Sequence, residues 1–381
     1  MMNSHFHELR LQVRSKLQQH STLSDEQLWA IIEGEIILHR DHVKWSATET
    51  FQLTHRLFHS FRGLDLLQPL LEDHTITEIM INNYDHIYIE RNGIITRLPQ
   101  QFDSSERLED VIQMIVSGVN RIVNEMTPIV DARLKDGSRV HVVLPPIALR
   151  GPSVTIRKFP QHPLTMQQLL HSGSMTEQVA QLLQQLVLDR KNICISGGTG
   201  TGKTTFLNVL SQLIPSQERV ITIEDSAELQ LRSLSNVVAL ETRNANTEGK
   251  GEITIRQLIK AALRMRPDRI IIGEVRGAEA FDMLQALNTG HAGSLTSAHA
   301  NSAQDMLSRL ETMVLSAVEL PIVVVRKQMA SALDIIIHLI RLRDGTRKVA
   351  QISSVAGIEA GEIVLQPLYQ WDKETDTGED V

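Results

Sequence analysis

Apolar residues recur along this chain with two different periods, and the change of period divides it. Up to about residue 60 the spacing is helical. Leu28, Ile31, Ile32 and Ile36 fall on one helical face. Ser24 and Gln27 precede them at the spacing of a reciprocal N-terminal cap. The triplet His5-Phe6-His7 reads as solvated surface rather than as metal ligands. From 61 to about 158, short alternating runs take over. Residues 77–82 (TEIMIN) read as a strand, and 86–98 as two strands turning at Asn92-Gly93. Residues 129–144 read as a second hairpin turning at Asp136-Gly137, and 153–159 as a further strand. Only 104–123 keeps a helical period there. The mixture predicts a compact α+β domain.

Gly151, Pro152, Pro160 and Pro163 interrupt the pattern, and 162–173 reads as a linker carrying a short helix. From about 174, five β-rich runs alternate with amphipathic helices: 192–196, 219–225, 236–242, 269–275 and 294–300. Four of the five are apolar almost throughout, as in a sheet covered on both faces. That pattern predicts a doubly wound α/β core. The expected division is a helical extension (1–60), an α+β domain (61–158), a linker (159–173), the α/β domain (174–345), and C-terminal strands with an acidic tail (346–381).

Composition changes this picture in three ways. A net charge of −7 argues against non-specific nucleic-acid binding, and 4% aromatic residues are few for a base-stacking platform. One cysteine excludes a disulfide framework and a four-cysteine zinc site, which fits a reducing compartment. No run approaches the roughly 18 apolar residues of a membrane-spanning helix, and residues 1–12 lack the apolar core of a secretory signal. A soluble protein is expected, with any membrane role exercised through partners.

The chemistry gathers after the run 192–196, whose Cys194 reads as core. GGTGTGKTT (197–205) fits G-x-x-x-x-G-K-[ST] between a strand and a helix. Gly198, Thr199, Gly200, Thr201, Gly202, Lys203, Thr204 and Thr205 would wrap the phosphates of ATP. Glycines admit close backbone approach, Lys203 reaches the terminal phosphates, and the Thr204 hydroxyl ligates Mg²⁺. The run RIIIGEV ends in Gly273-Glu274, where such sites usually carry Asp-Glu. Glu274 can orient or deprotonate the attacking water. With no aspartate beside it, Glu224 or Asp225 must support the magnesium, through bound waters. Residue types alone allow these roles to be exchanged. His291 and His299 flank a small polar run, and they read as a sensor of the γ-phosphate rather than as a metal site.

Four motifs in order carry a resemblance: GGTGTGKTT, ITIEDSAEL, RIIIGEVRG and TGHAGSLTSAHAN. Together they resemble the secretion ATPase superfamily of type II secretion, type IV pili and type IV secretion. There they are called Walker A, the Asp box, a Walker B ending in Gly-Glu, and the His box. The runs 75–93 and 128–159 are similar to the Tad pilus branch, the CpaF group, which is close to the type IV secretion ATPases. The resemblance spans about 70–345. It implies a PAS-like α+β amino domain, a RecA-like P-loop ATPase domain, and a hexameric ring. It also implies ATP hydrolysis coupled to transport through an inner-membrane platform protein, with the motor on the cytoplasmic side. Arginines of the amino domain reach the phosphates in that family. Arg133, Arg139 and Arg157 are the candidates here. Pilus assembly is the first reading, conjugation-type secretion the alternative, and a nucleic-acid translocase the third.

Overall fold

The computed structural model describes residues 2–17, 23–39, 45–91, 93–118, 121–134, 136–159, 163–243, 245, 249–372 and 378–380. Two compact units divide the chain at Gln161. Asn92 of the expected turn, Pro160, and residues 373–377 and 381 of the acidic tail lie outside the described residues.

The amino unit opens with three helices, α1 (Met2–Leu17), α2 (Asp25–His39) and α3 (Ala47–Arg62). Their apolar stripes close on a small core of Phe6, Leu9, Val13, Leu28, Ile32, Ile36, Leu53 and Leu57. The expectation for the His5–His7 triplet needs correction. Phe6 is buried, because it shares a face of α1 with Leu9 and Val13 at helical spacing. His7 alone of the three is exposed. The short α4 (Leu67–Glu72) leads into β1 (Ile76–Asn83), β2 (His86–Arg91) and β3 (Ile94–Arg97). Then come α5 (Ser105–Ser117), β4 (Ile129–Arg133), β5 (Arg139–Val143) and β6 (Ser153–Arg157). All six strands form one antiparallel sheet in the order β3-β2-β1-β6-β5-β4. One face of β1, β2, β5 and β6 packs on α5 through Ile79, Ile81, Ile89, Val142 and Ile156. Alternation in the sequence is thus the register of a half-buried sheet. Ser104 caps α5, its side chain accepting from Arg107 N.

The carboxyl unit begins with α6 (Met166–His171) and α7 (Glu177–Leu188). A nine-stranded sheet follows. Its strands are β7 (Ile193–Gly197), β8 (Val220–Glu224), β9 (Val237–Glu241), β10 (Arg269–Val275), β11 (Leu295–His299), β12 (Ile335–Arg341), β13 (Arg347–Glu359), β14 (Glu362–Trp371) and β15 (Gly378–Asp380). Between them lie α8 (Lys203–Ser211), α9 (Ile255–Ala262), α10 (Glu279–Leu287), α11 (Ala303–Ala317) and α12 (Ile322–Ala332). The order is β15-β14-β13-β12-β7-β11-β10-β8-β9. The six strands from β12 to β9 are parallel, and the three beyond β12 are antiparallel. Two apolar layers, one on each face, bury β7, β8 and β10 completely along their apolar runs. Cys194 is part of that core, and burial pushes its thiol up to about 12. All five sequence-expected strands are present. β12 joins them from a run, IIIHLIR, that has the same continuous apolar character.

One buried charge escaped the sequence reading. Arg269 begins β10 fully buried, at the edge of the sheet opposite the phosphate loop. Its Nε and Nη2 donate to the Glu218 carboxylate at 2.7 and 3.1 Å, and Nη1 donates to Val187 O at 2.8 Å. A paired, fully hydrogen-bonded guanidinium tolerates burial, but removing it strands Glu218. We expect Arg269→Ala to cost about 3–5 kcal/mol, read as a lower unfolding midpoint in denaturant. Unchanged stability would mean the pair does not hold this edge together.

Candidate active site

Parallel strands bring their carboxyl ends to one edge of the sheet. Register sets Gly197 beside His299, Ala298 beside Val275, and Ile272 beside Ile223. The loop after β7, His299, Glu274 and Glu224 therefore share one edge.

Residues 198–202 join β7 to α8. Gly200 (φ 73°) and Gly202 (φ 89°) adopt the left-handed backbone that glycine tolerates. A Cβ on Gly197 would lie 2.6 Å from Thr201 Oγ1 and 2.7 Å from Leu339 O, so the end of β7 has room for no side chain. Lys203 opens α8 and is buried. Its Nζ donates to the carbonyls of Gly197 and Gly198 at 3.0 and 3.1 Å, and lies 3.2 Å from His299 Nδ1. Burial lowers the Lys203 pKa, and the Glu274 charge opposes that. Thr204 and Thr205 follow in the first turn of α8, half-buried, and Thr199 is exposed at the loop tip. A curled backbone, a helix N-terminus and an ammonium converge here, which is the arrangement that holds a polyphosphate.

Glu274 is pinned from both sides. Its Oε2 accepts from Arg276 Nε at 2.7 Å, and its Oε1 lies 2.9 Å from His299 Nε2. Arg276 Nη1 also approaches Asp225 at 3.5 Å. Arg276 N and Gly277 N donate to Glu279, which holds the turn after β10. Burial and then the Lys203 charge lower the His299 pKa, against Glu274, so the imidazole is neutral near neutrality.

The missing aspartate has a steric explanation. Glu224 is buried, and its side chain crosses Gly273. A Cβ there would meet Glu224 Cγ at 3.0 Å. The carboxylate turns back to accept from Glu228 N at 2.9 Å and Leu229 N at 3.1 Å. Burial raises its pKa to about 7, although those amides pull the other way. Glycine at 273 is the space Glu224 occupies.

Two further expectations meet the structure differently. His291 does not reach the loop. It precedes β11 by several residues, so it lies toward the opposite edge of the sheet, its Nδ1 3.1 Å from Ala286 O at the end of α10. His299 alone of the pair touches Lys203 and Glu274. Arg133, Arg139 and Arg157 belong to the amino unit, where register sets them side by side across β4, β5 and β6. They form one row on one face of that sheet.

The sequence reading missed Arg341 and Arg347. The turn between β12 and β13 carries them to the loop. Arg347 Nε donates to Gly200 O at 3.0 Å, and a Cβ on Gly200 would meet Arg341 Nη1 at 3.2 Å. The available signal was RLRDGTRK, a basic hairpin directly after an apolar strand.

Residues 62–366 match the type II/IV secretion system protein family. The chain belongs to that family. Relatives agree along most of its length. A Mycobacterium tuberculosis protein named for conjugal transfer is 33% identical over 318 residues, covering 82% of this chain and 89% of that protein. The type IV secretion system protein VirB11 of Brucella suis is 32% identical over 319 residues, 76% of this chain and 88% of its own. Among solved structures, the pilus retraction motor PilT with bound ADP shares the fold. Its TM-score is 0.58 at 21% identity, over 78% of this chain and 83% of that one. This secretion ATPase is therefore an ATP-hydrolysing enzyme with a RecA-like core, preceded by a smaller α+β domain and a helical extension. Among the described residues no helix is long and apolar enough to cross a membrane.

Two outcomes follow from the Glu224–Gly273 contact. Gly273→Asp should overpack the site at a cost of about 1–3 kcal/mol, or about 10- to 100-fold in turnover where it falls on the transition state. Denaturant midpoints measure the packing cost, and adding Glu224→Ala should relieve part of it, so that the two changes together destabilise less than their sum. Independent, additive losses would refute the contact. The second outcome concerns pH. A folded carboxyl at about 7, against the usual 4.5, holds its proton longer than the unfolded chain does. Its stability contribution is complete below pH 4.5 and is lost as pH rises through about 7, a change on the order of 3 kcal/mol. Without nucleotide, Glu224→Gln should remove that part of the pH dependence, read from denaturant midpoints between pH 5 and 8.

Proposed function

We propose that this chain is the ATPase motor of a type IV secretion system of the conjugation type, working as a hexameric ring on an inner-membrane platform protein. The observation that carries the activity is the shared edge, where Lys203, His299, Glu274 and Glu224 surround one phosphate-binding loop. The relatives support the choice of system. Those named for conjugal transfer and the VirB11 proteins match over three quarters or more of this chain. They favour conjugation-type secretion over Tad pilus assembly.

In this reading, arriving ATP takes the Lys203 ammonium from the carbonyls of Gly197 and Gly198, and the loop amides turn to the phosphates. The Thr204 hydroxyl, with Glu224 and Asp225 through waters, offers the hard oxygen donors that suit Mg²⁺. That ion would screen phosphate charge. Glu274 orients the attacking water and takes its proton. To do so it must leave Arg276, so the Arg276 pair holds the glutamate inactive until nucleotide competes for that guanidinium. His299 touches both Lys203 and Glu274, and it relays the state of the γ-phosphate to β11. The arginine row of the amino unit is the candidate source of positive charge for the transition state.

Lys203→Ala should abolish ATPase, and secretion or conjugation should fall with it. Glu274→Gln should keep ATP binding while cutting turnover by about 10²-fold or more, the scale of general-base catalysis. Equilibrium binding of a fluorescent ATP analogue, beside turnover, separates the two effects. Wild-type turnover in either variant would overturn the site assignment. ATPase strongly and salt-sensitively stimulated by single-stranded DNA would instead favour a nucleic-acid translocase. Intact conjugation with lost pilus assembly in a Lys203→Ala strain would restore the Tad reading.

A further inference from the structure

The helical extension holds a second cluster of metal-ligating side chains that the ATPase site does not use. His5 and Glu8 stand three apart on one face of α1, and His39 is the last residue of α2. α1 and α2 run as a helical hairpin, so the end of α2 returns to the start of α1. One ligand atom from each of the three residues lies within 4.8 Å of the other two. His39 Nε2 and Glu8 Oε2 are 3.4 Å apart. Around a tetrahedral Zn²⁺ with bonds of about 2.0–2.2 Å, ligand atoms stand about 3.4 Å apart. One edge of the coordination tetrahedron therefore already has its length, and small side-chain rotations close the others.

The surroundings suit such a site. The Trp45 ring lies within 4° of parallel to the His39 ring, with centroids 6.4 Å apart, and meets His5 edge-on at 6.0 Å. An indole wall keeps both imidazoles half-buried, while Glu8 leaves one side open to water. Among the described residues no other three His, Cys, Asp or Glu side chains converge in this way. Two imidazoles and a carboxylate favour a late first-row divalent ion over Mg²⁺, which prefers oxygen donors alone.

We infer that His5, Glu8 and His39 form a site for one Zn²⁺-class ion, with water as fourth ligand, that clips α1 to α2. His7 lies on the exposed side of α1, 3.6 Å from Asp103. His5 finds its partners across the hairpin instead.

The test uses the full chain, freed of metal and without nucleotide, titrated with ZnCl₂ by calorimetry and by tryptophan emission. One ion per chain should bind with micromolar or tighter affinity, and Trp45 emission should change in step. His39→Ala should weaken binding by more than about 100-fold, since even the outer partners of a metal ligand are worth about 10- to 100-fold. Millimolar Mg²⁺ should not displace the ion. Trp45→Phe should keep the binding heat and lose the optical change. These positions lie outside the ATPase machinery, so retained ATPase activity verifies that each variant is folded. The milder pair His5→Gln and His39→Gln serves if an alanine variant loses it. Absence of stoichiometric binding to the wild-type chain would overturn the inference, as would unchanged affinity in the variant lacking both histidines.

Discussion

A lysine ammonium, an imidazole, a carboxylate and a guanidinium stand in one line at the edge of the parallel sheet: Lys203, His299, Glu274 and Arg276. Lys203 is buried and Glu274 largely so, and an unpaired ion there would cost several kcal/mol, while Arg276 at the outer end is exposed. The line is stable because each member faces a partner, with Asp225 at its far end. In the proposed mechanism, a polyphosphate at the loop competes for Lys203 and Arg276, and loss of the Arg276 pair frees Glu274.

Steric constraints make the line possible. Gly197 ends β7 without a side chain, so Thr201 and the backbone of β12 can approach. Gly273 lets Glu224 cross β10 and anchor on the amides of Glu228 and Leu229. A second carboxyl is thereby placed behind Glu274 but kept apart from it, with a proton affinity raised by burial. Two acids in different surroundings then stand at one edge, Glu274 paired with Arg276 and Glu224 buried against backbone amides, where burial raises its pKa to about 7.

The amino unit obeys a different constraint. Its antiparallel sheet is covered on one face by α5, so alternation fixes its register, and register alone aligns Arg133, Arg139 and Arg157 across three strands. Shifting one strand by a single residue would turn its arginine to the other face. The helical extension is held by its own small core, by the Arg10–Asp103 ion pair, and by the hydrogen bond that Arg107 Nη2 donates to Ser60 O.

Sequence by itself determined the elements and the phosphate loop. Continuous apolar runs read as buried parallel strands, alternating runs as a half-exposed sheet, and G-x-x-x-x-G-K-T as a nucleotide loop, because each of these is dictated by local geometry. It also marked Glu274 and Glu224, since acids at the ends of apolar strand runs are visible in one dimension. What only the tertiary structure decided depends on sheet order and on which sheet edge a residue occupies. His299 and His291 look equivalent in the sequence, yet a strand of five residues separates them, and only the one at its carboxyl end meets Lys203. Arg341 and Arg347 lie about 140 residues from the loop they flank and reach it because β12 pairs beside β7. Glycine at 273 read as a lost aspartate until the side chain filling its space came into view. Phe6 entered the core, and His5 met His39, because two helices folded back on each other. Contacts between distant segments leave no local period, so the packing of the whole chain alone creates them.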